Sequence, residues 1–161
     1  MAQDQEIPAI EKGIIDKIIA KFGEQVKLSY ARPKRIRFDV TTDNIKEFAK
    51  FIKELGFDHP ISVAGTDYPK DNAIEVIYHI DSCSNDDYRA IVLAFAVRVP
   101  RDNPKTPTLM DVYEGVEYHE RETFEMLGVI FEGHRKLDRL LLPEDWADMP
   151  PLRKDFQIKG R

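Results

Sequence analysis

Ile74-Glu75-Val76-Ile77-Tyr78-His79-Ile80 is followed by the polar stretch Asp81-Ser82-Cys83-Ser84-Asn85-Asp86-Asp87. The chain then enters Tyr88-Arg89-Ala90-Ile91-Val92-Leu93-Ala94-Phe95-Ala96-Val97-Arg98-Val99. Both apolar runs are rich in β-branched and aromatic residues and have strand length, and the polar stretch between them is long enough for a hairpin loop. Residues 90–97 form the longest apolar run, far short of the ~20 residues a membrane span needs. Working outward, Ile61 and Val63 predict a further strand, with a connection over residues 65–72 that contains Pro69. Upstream, Val26, Leu28 and Tyr30 alternate, and so do Ile36, Phe38 and Val40 after Arg32-Pro33. These are two half-buried strands joined by a turn, with Lys27, Arg35 and Arg37 among the polar partners.

Two helices frame these strands. Ile10, Ile14, Ile18 and Phe22 fall four apart, with Ile15 and Ile19 beside them and Gly23 as the stop. Asn44 and Glu47 have the spacing of a capping box, ahead of Ile45, Phe48, Ala49, Ile52 and Leu55, and Gly56 ends the pattern. Helix, two strands, helix, three strands predicts an α+β fold: a two-layer sandwich of a mostly antiparallel sheet with helices on one face.

The 161 residues carry 24 Lys+Arg against 29 Asp+Glu and are 42% hydrophobic. That suits one globular domain with an extended tail, since ~150 residues bury roughly 70% of their unfolded surface. An acidic balance argues against non-specific nucleic-acid binding, which depends on Lys/Arg neutralising phosphates. Cys83 is the single cysteine, so there is no intramolecular disulfide, and this chain alone cannot build a cluster or zinc site on thiolates. The polar start of the chain has no targeting character, and a cytoplasmic protein is expected, with any membrane association made through partners.

Organisation changes near Pro100. Residues 99–107 hold three prolines and are expected to connect rather than to form an element, while 109–127 carry helical signals interrupted by Gly115. A short extended piece is expected at 129–131. Residues 143–161 hold three more prolines, an isolated Trp146 and little periodicity, and are expected to be disordered or ordered against another protein. The division is thus 1–108 for the α+β domain, 109–142 for a helix-and-turn region completing it, and 143–161 for an extended partner-binding tail. Net charge divides along these lines: −1 over residues 1–110, −6 over 111–145 and +2 over 146–161.

The densest ionisable patch is Glu117-Tyr118-His119-Glu120-Arg121-Glu122-Thr123-Phe124-Glu125. His119-Glu120 begins the zinc-protease pattern, but Thr123 stands where the second histidine belongs, and His59, His79 and His134 have no ligand-like spacing with it. No metal is assigned. A free-standing hydrolase using Glu117, Glu120 and His119 is one alternative, and a small binding module whose tail folds on a partner is another. On a helix, Glu117, Arg121 and Glu125 form a charge row, whereas Val116, Glu120, Phe124 and Leu127 line the other side. Glu120 on the apolar stripe must be paired or hydrogen-bonded, and Arg139 and Arg153 are the candidate partners for a structural ion pair. Gly128 suits a helix C-cap and Gly133 a turn. Leu137, Leu140, Leu141 and Leu142 are expected to be core or interface rather than a lipid anchor.

Residues 118–134, from Tyr118-His119-Glu120-Arg121-Glu122 through Gly128-Val129-Ile130-Phe131-Glu132-Gly133-His134, resemble the signature of the 30-kilodalton subunit family of respiratory complex I. The resemblance continues through Arg139-Leu140-Leu141-Leu142-Pro143, Asp145-Trp146 and Pro151-Leu152-Arg153-Lys154-Asp155-Phe156. Glu125, Leu127 and Arg135 depart from the family's usual Asp, aromatic and Pro.

The resemblance implies a cofactor-free, non-catalytic subunit of the peripheral arm of a membrane-associated oxidoreductase coupled to ion translocation. It would pack against a large D-type subunit, which resembles the hydrogenase large subunit, and a cluster-bearing B-type subunit; the iron-sulfur clusters would lie in those partners. Shorter relatives serve F-420-type dehydrogenases, energy-converting hydrogenases and sulfane reductases. The resemblance gives Glu120, Arg121, Glu122, Gly128, Gly133 and His134 structural roles in the signature. Arg139, Trp146, Arg153 and Asp155 would face the partner, with the tail as a strap and Trp146 as its anchor.

Overall fold

The computed structural model describes residues 6–146 and 149–158. Residues 1–5, and 147–148 and 159–161 of the expected tail, lie outside the described residues.

Helix α1, Ala9–Phe22, leads into the hairpin β1, Val26–Arg32, and β2, Arg35–Val40. Then come α2, Ile45–Glu54, and the strands β3, His59–Tyr68, β4, Ala73–Asp81, and β5, Val92–Pro100. The five strands form one sheet in the order β1-β2-β5-β4-β3, antiparallel except for the central β2–β5 pair. That parallel pair follows from the long crossover through α2, β3 and β4. Downstream lie β6, Lys105–Pro107, helix α3, Glu117–Leu127, and β7, Ile130–Glu132, with β6 and β7 paired parallel in a small second sheet.

Register explains the core. Phe38 pairs with Phe95, Phe95 with Tyr78, and Tyr78 with Val63, so one row of large side chains crosses four strands on a single face. Phe48 of α2 seats on this row, with its ring centroid 5.3 Å from Phe95 and 5.8 Å from Phe38, and it meets Phe22 of α1 at 5.3 Å. Burying each such ring contributes roughly 1.5–3 kcal/mol. Helix α3 covers the β3 end of the same face. Gly65 makes this approach possible, because a Cβ there would overlap Leu127 Cδ1 and crowd Thr123. The opposite face is polar: Arg37 and Arg98 both bond Glu75, and Arg37 also reaches Asp39.

Several expectations need correction. The connection expected over 65–72 is mostly strand, since β3 runs to Tyr68 and only a 3-10 turn at Pro69–Asp71 separates it from β4. Alternation is masked there by Gly65 and by Asp67, a carboxylate on the core face. Residues 88–90 belong to the loop, and β5 starts at Val92. The connector expected over 99–107 contains β6, which pairs with β7 and buries Thr106. Asn44 precedes α2 but makes no side-chain capping bond, and its backbone is already helical. On α1, Ile14, Ile15, Ile18 and Phe22 are buried, while Ile10 and Ile19 are exposed at the edges of the stripe. Leu137 packs on the core, whereas Leu140 and Leu141 are exposed.

Candidate functional site

The signature residues gather around α3, whose interior face holds the fully buried Glu120. Among the described residues Glu120 makes no ion pair, and Arg139 and Arg153, the partners expected for it, are engaged elsewhere. Tyr78 donates its hydroxyl to Glu120 Oε1 at 2.9 Å, the Leu109 backbone N–H donates to the same oxygen at 2.9 Å, and the Thr108 hydroxyl donates to Oε2. Neutral donors offset the cost of burial without supplying a counter-charge. Burial therefore wins and holds the carboxyl above its ordinary range, opposed by these three bonds. Burial, then the adjacent Glu120 charge, pushes the Tyr78 phenol well up. A carboxyl sealed from solvent in this way ties β4, the 108–109 turn and α3 together, and no diffusing substrate reaches it.

The charge row expected on the other side of α3 is not a solvated face. Arg121 and Glu125, one turn apart, are both buried, and they grip one segment of backbone with opposite polarity. Arg121 donates to the carbonyls of Asp138 at 3.1 Å and Arg139 at 2.8 Å. Glu125 accepts the N–H groups of Leu140, Leu141 and Leu142 at 3.1, 2.8 and 2.8 Å. Charge-assisted bonds of this kind are about twice as strong as neutral ones. Periodicity finds the row, but the backbone lying over it has no sequence signal. Glu122 is exposed on the remaining face.

Helix α3 ends at Gly128, whose φ of 80° is left-handed and whose N–H bonds the Phe124 carbonyl at 2.7 Å. A Cβ at Gly128 would press on Arg153 and Pro150, so the helix exit and the strap share this point. Gly133 turns the chain after β7 with φ 87°. His134 accepts the Lys136 N–H at Nδ1, which assigns the proton to Nε2 and its bond to the Glu117 carbonyl.

The tail folds back on its own chain. Leu152 N–H bonds the Met126 carbonyl at 3.0 Å, and Arg153 Nε bonds the Leu127 carbonyl at 2.8 Å, satisfying acceptors that the end of α3 leaves open. Lys154 N–H bonds Asp67 at 2.8 Å, and Arg101 grips Asp67 through both oxygens and reaches on to Asp155. The Arg101 guanidinium holds both carboxyls, Asp67 and Asp155, below their ordinary range. Arg139 bonds the carbonyls of Pro143, Glu144 and Trp146, bracing the bend. The Trp146 and Phe156 rings lie 5.9 Å apart across the strap.

Arg139, Trp146, Arg153 and Asp155 thus all make contacts within the chain. Tyr78, Thr108, Asp67 and Arg101 complete these networks, and sequence reasoning misses all four; only Asp67, an acid on an apolar face, leaves a trace. Between α3 and the strap lies a cleft of about 150 Å³ lined by Phe124, Glu125, Gly128, Arg139, Trp146 and Pro150.

The family described as respiratory-chain NADH dehydrogenase, 30 Kd subunit, matches residues 38–161. The chain belongs to this 30-kDa subunit family. It is 38% identical to the C-type subunit of the F(420)H(2) dehydrogenase of Methanosarcina mazei over 146 residues, covering 89% of this chain and 90% of that one. It is 39% identical to the C-type subunit of the NADH-quinone oxidoreductase of Roseiflexus sp. over 130 residues, covering 80% and 68%. Among solved structures it resembles a chain of the membrane-bound sulfane sulfur reductase, an archaeal respiratory membrane complex. The TM-score is 0.79 at 28% identity, over 92% of this chain and 86% of that one. Like these relatives, this 30-kDa-family chain has a mixed α+β fold, and among its described residues no helix is long and apolar enough to cross a membrane.

Proposed function

We propose that the chain is a non-catalytic scaffold subunit in the peripheral arm of a membrane-associated, complex-I-like oxidoreductase. The observation that carries this reading is how the ionisable signature is used: Glu120, Arg121 and Glu125 all spend their bonds on their own fold. Together with family membership, this favours a part that positions other parts. The strap, together with the segment 138–142 that leads into it, then offers its outer surface. Leu141 is 62% exposed, Leu152 58% and Ile158 63%, with Leu140 and Met149 also open. Apolar side chains concentrated on one segment and rimmed by charge suit the core of a protein interface. The partners we assign are a D-type subunit resembling the hydrogenase large subunit and a cluster-bearing B-type subunit, with the iron-sulfur clusters in the partners and the whole arm on the cytoplasmic side of the membrane. The near-full-length match to an F(420)H(2) dehydrogenase subunit favours a reduced deazaflavin as donor. The likeness to a sulfane reductase subunit supports a second reading, the equivalent subunit of that enzyme or of an energy-converting hydrogenase.

Native mass spectrometry of the complex purified from membranes through a tag on this chain tests the proposal. Large-subunit and cluster-bearing companions are expected, and L141D/L152D should lose them while the isolated variant keeps its far-ultraviolet dichroism. A tagged chain that purifies alone and turns over a hydrolysable substrate would overturn it.

A further inference from the structure

A second group of reactive side chains lies away from α3, at the edge of the sheet where β3 begins and β4 ends. His59 and Asp81 are register partners across that antiparallel pair, so their side chains leave the sheet on the same side. His59 Nδ1 lies 2.7 Å from Asp81 Oδ1. Cys83, two residues beyond Asp81, brings its sulfur to the same place, and the ligand atoms of all three residues lie within 4.8 Å of one another.

The cysteine is exposed but its loop is pinned. Its backbone N–H bonds Asp58 Oδ1 at 2.8 Å, the Asn85 N–H bonds Ser82 Oγ at 3.0 Å, and the Asp87 N–H bonds Asn85 Oδ1 at 3.0 Å. Asp58, Asp81, Asp86 and Asp87 make the surroundings acidic. Arg89 is paired with Asp86 and donates to the Cys83 carbonyl at 3.4 Å.

We propose that His59, Asp81 and Cys83 form a binding site for a soft-to-borderline divalent transition-metal ion of the zinc class. One imidazole nitrogen, one carboxylate oxygen and one thiolate are a donor set that Zn²⁺ accepts in tetrahedral geometry, leaving a fourth position for water. With bonds of about 2.0–2.3 Å, tetrahedral ligand atoms stand roughly 3–4 Å apart. The His59–Asp81 contact therefore opens by a fraction of an ångström, and Cys83 closes in. On binding, the Cys83 S–H bond is replaced by sulfur–metal coordination and its proton leaves to solvent. The proton that His59 Nδ1 donates to Asp81 passes through solvent to Nε2, which frees the Nδ1 lone pair to coordinate. No oxidation change is involved. Sequence spacing does not reveal the set, because residue 59 joins 81 and 83 only through strand register. The ion would clip the edge strand β3 to the loop after β4, on the far side of the sheet from the strap's anchors on α3.

The test is titration of the full chain, kept reduced, with cobalt(II) as a spectroscopic probe and zinc(II) as competitor. Expected are a thiolate-to-cobalt charge-transfer band in the near ultraviolet that saturates at one equivalent, and its loss on adding zinc. C83S should abolish the band, and H59A and D81A should each weaken affinity by about tenfold or more. All three positions are at least partly exposed, so the variants keep the fold, which far-ultraviolet dichroism checks. Absence of the band from the parent chain overturns the proposal, and so does a band whose affinity is unchanged in both H59A and D81A.

Discussion

In the sheet layer, Phe22, Phe38, Phe48, Phe95 and Tyr78 meet ring to ring, and their placement follows from period and register. Over residues 138–146 and 149–158 the chain is held instead by charged side chains that reach backbone atoms: Arg121 and Glu125 from α3, Asp67 from β3 and Arg153 from the strap itself. The first mode depends on how much apolar area leaves water, and is nearly indifferent to pH. The second depends on ionised groups, so solution conditions can weaken it while the sheet stays intact. A segment with no periodicity can thus be as definitely placed as a core helix, by different physics.

Three perturbations separate the two modes. The largest effect should come from F48A, which leaves a hole where three rings converge and should cost about 3–5 kcal/mol of global stability in denaturant unfolding. A loss below about 1 kcal/mol would show that the aromatic row is not the centre of the core.

Next is D67N, which removes the anchor shared by Arg101 and the Lys154 N–H and should weaken strap docking by about 2–3 kcal/mol. Hydrogen exchange at the Leu152 and Lys154 amides reads this directly, with little change expected at amides of β4 and β5. Acid should mimic the variant. Asp67 and Asp155 have lowered folded pKa values, so their contribution is present above the unfolded value of 3.8 and is lost as pH falls through the lowered folded values. Faster exchange of the strap amides below 3.8 while the sheet remains protected is the expected pattern, and D67N should flatten it.

The smallest effect, about 1–2 kcal/mol, belongs to E120Q, which keeps the shape but gives Thr108 and Leu109 a poorer acceptor. Its pH dependence has the opposite sign to that of Asp67. The folded pKa of Glu120 is raised, so its contribution is fully present below 4.5 and is lost as pH rises through the raised value. The cost of E120Q should therefore be greater in acid than at neutral pH, as unfolding midpoints measured across that range will report. A cost that grows with pH would mean that an unrecognised cation pairs with Glu120.

The sheet layer is legible because its cause is local: α1, α2, the first hairpin and β4 each carry their own period, and helix and strand order then leaves little choice of layers. Sequence reading fails where a residue is placed by something distant in the chain. Asp67 breaks the alternation of β3 because Arg101 and Lys154 compensate it from far along the chain. Glu120 signals that it needs partners, but its donors sit on β4 and on an irregular turn, whereas spacing and charge point to an arginine. Residues 105–107 form a strand only because 130–132 lie beside them. Composition and resemblance locate the signature patch, while the direction in which Arg121 and Glu125 point depends on a backbone that no period describes.

Because α3 and β3 hold residues 138–142, 152 and 154 by their amides and carbonyls, the path of this segment is largely independent of its outward side chains. Leu141 and Leu152 can be exchanged without moving the backbone that displays them. The molecule therefore separates where its outer surface runs from what is written on it. One fold could then be refitted to different neighbours by a few exposed substitutions, each arising in a protein that still folds.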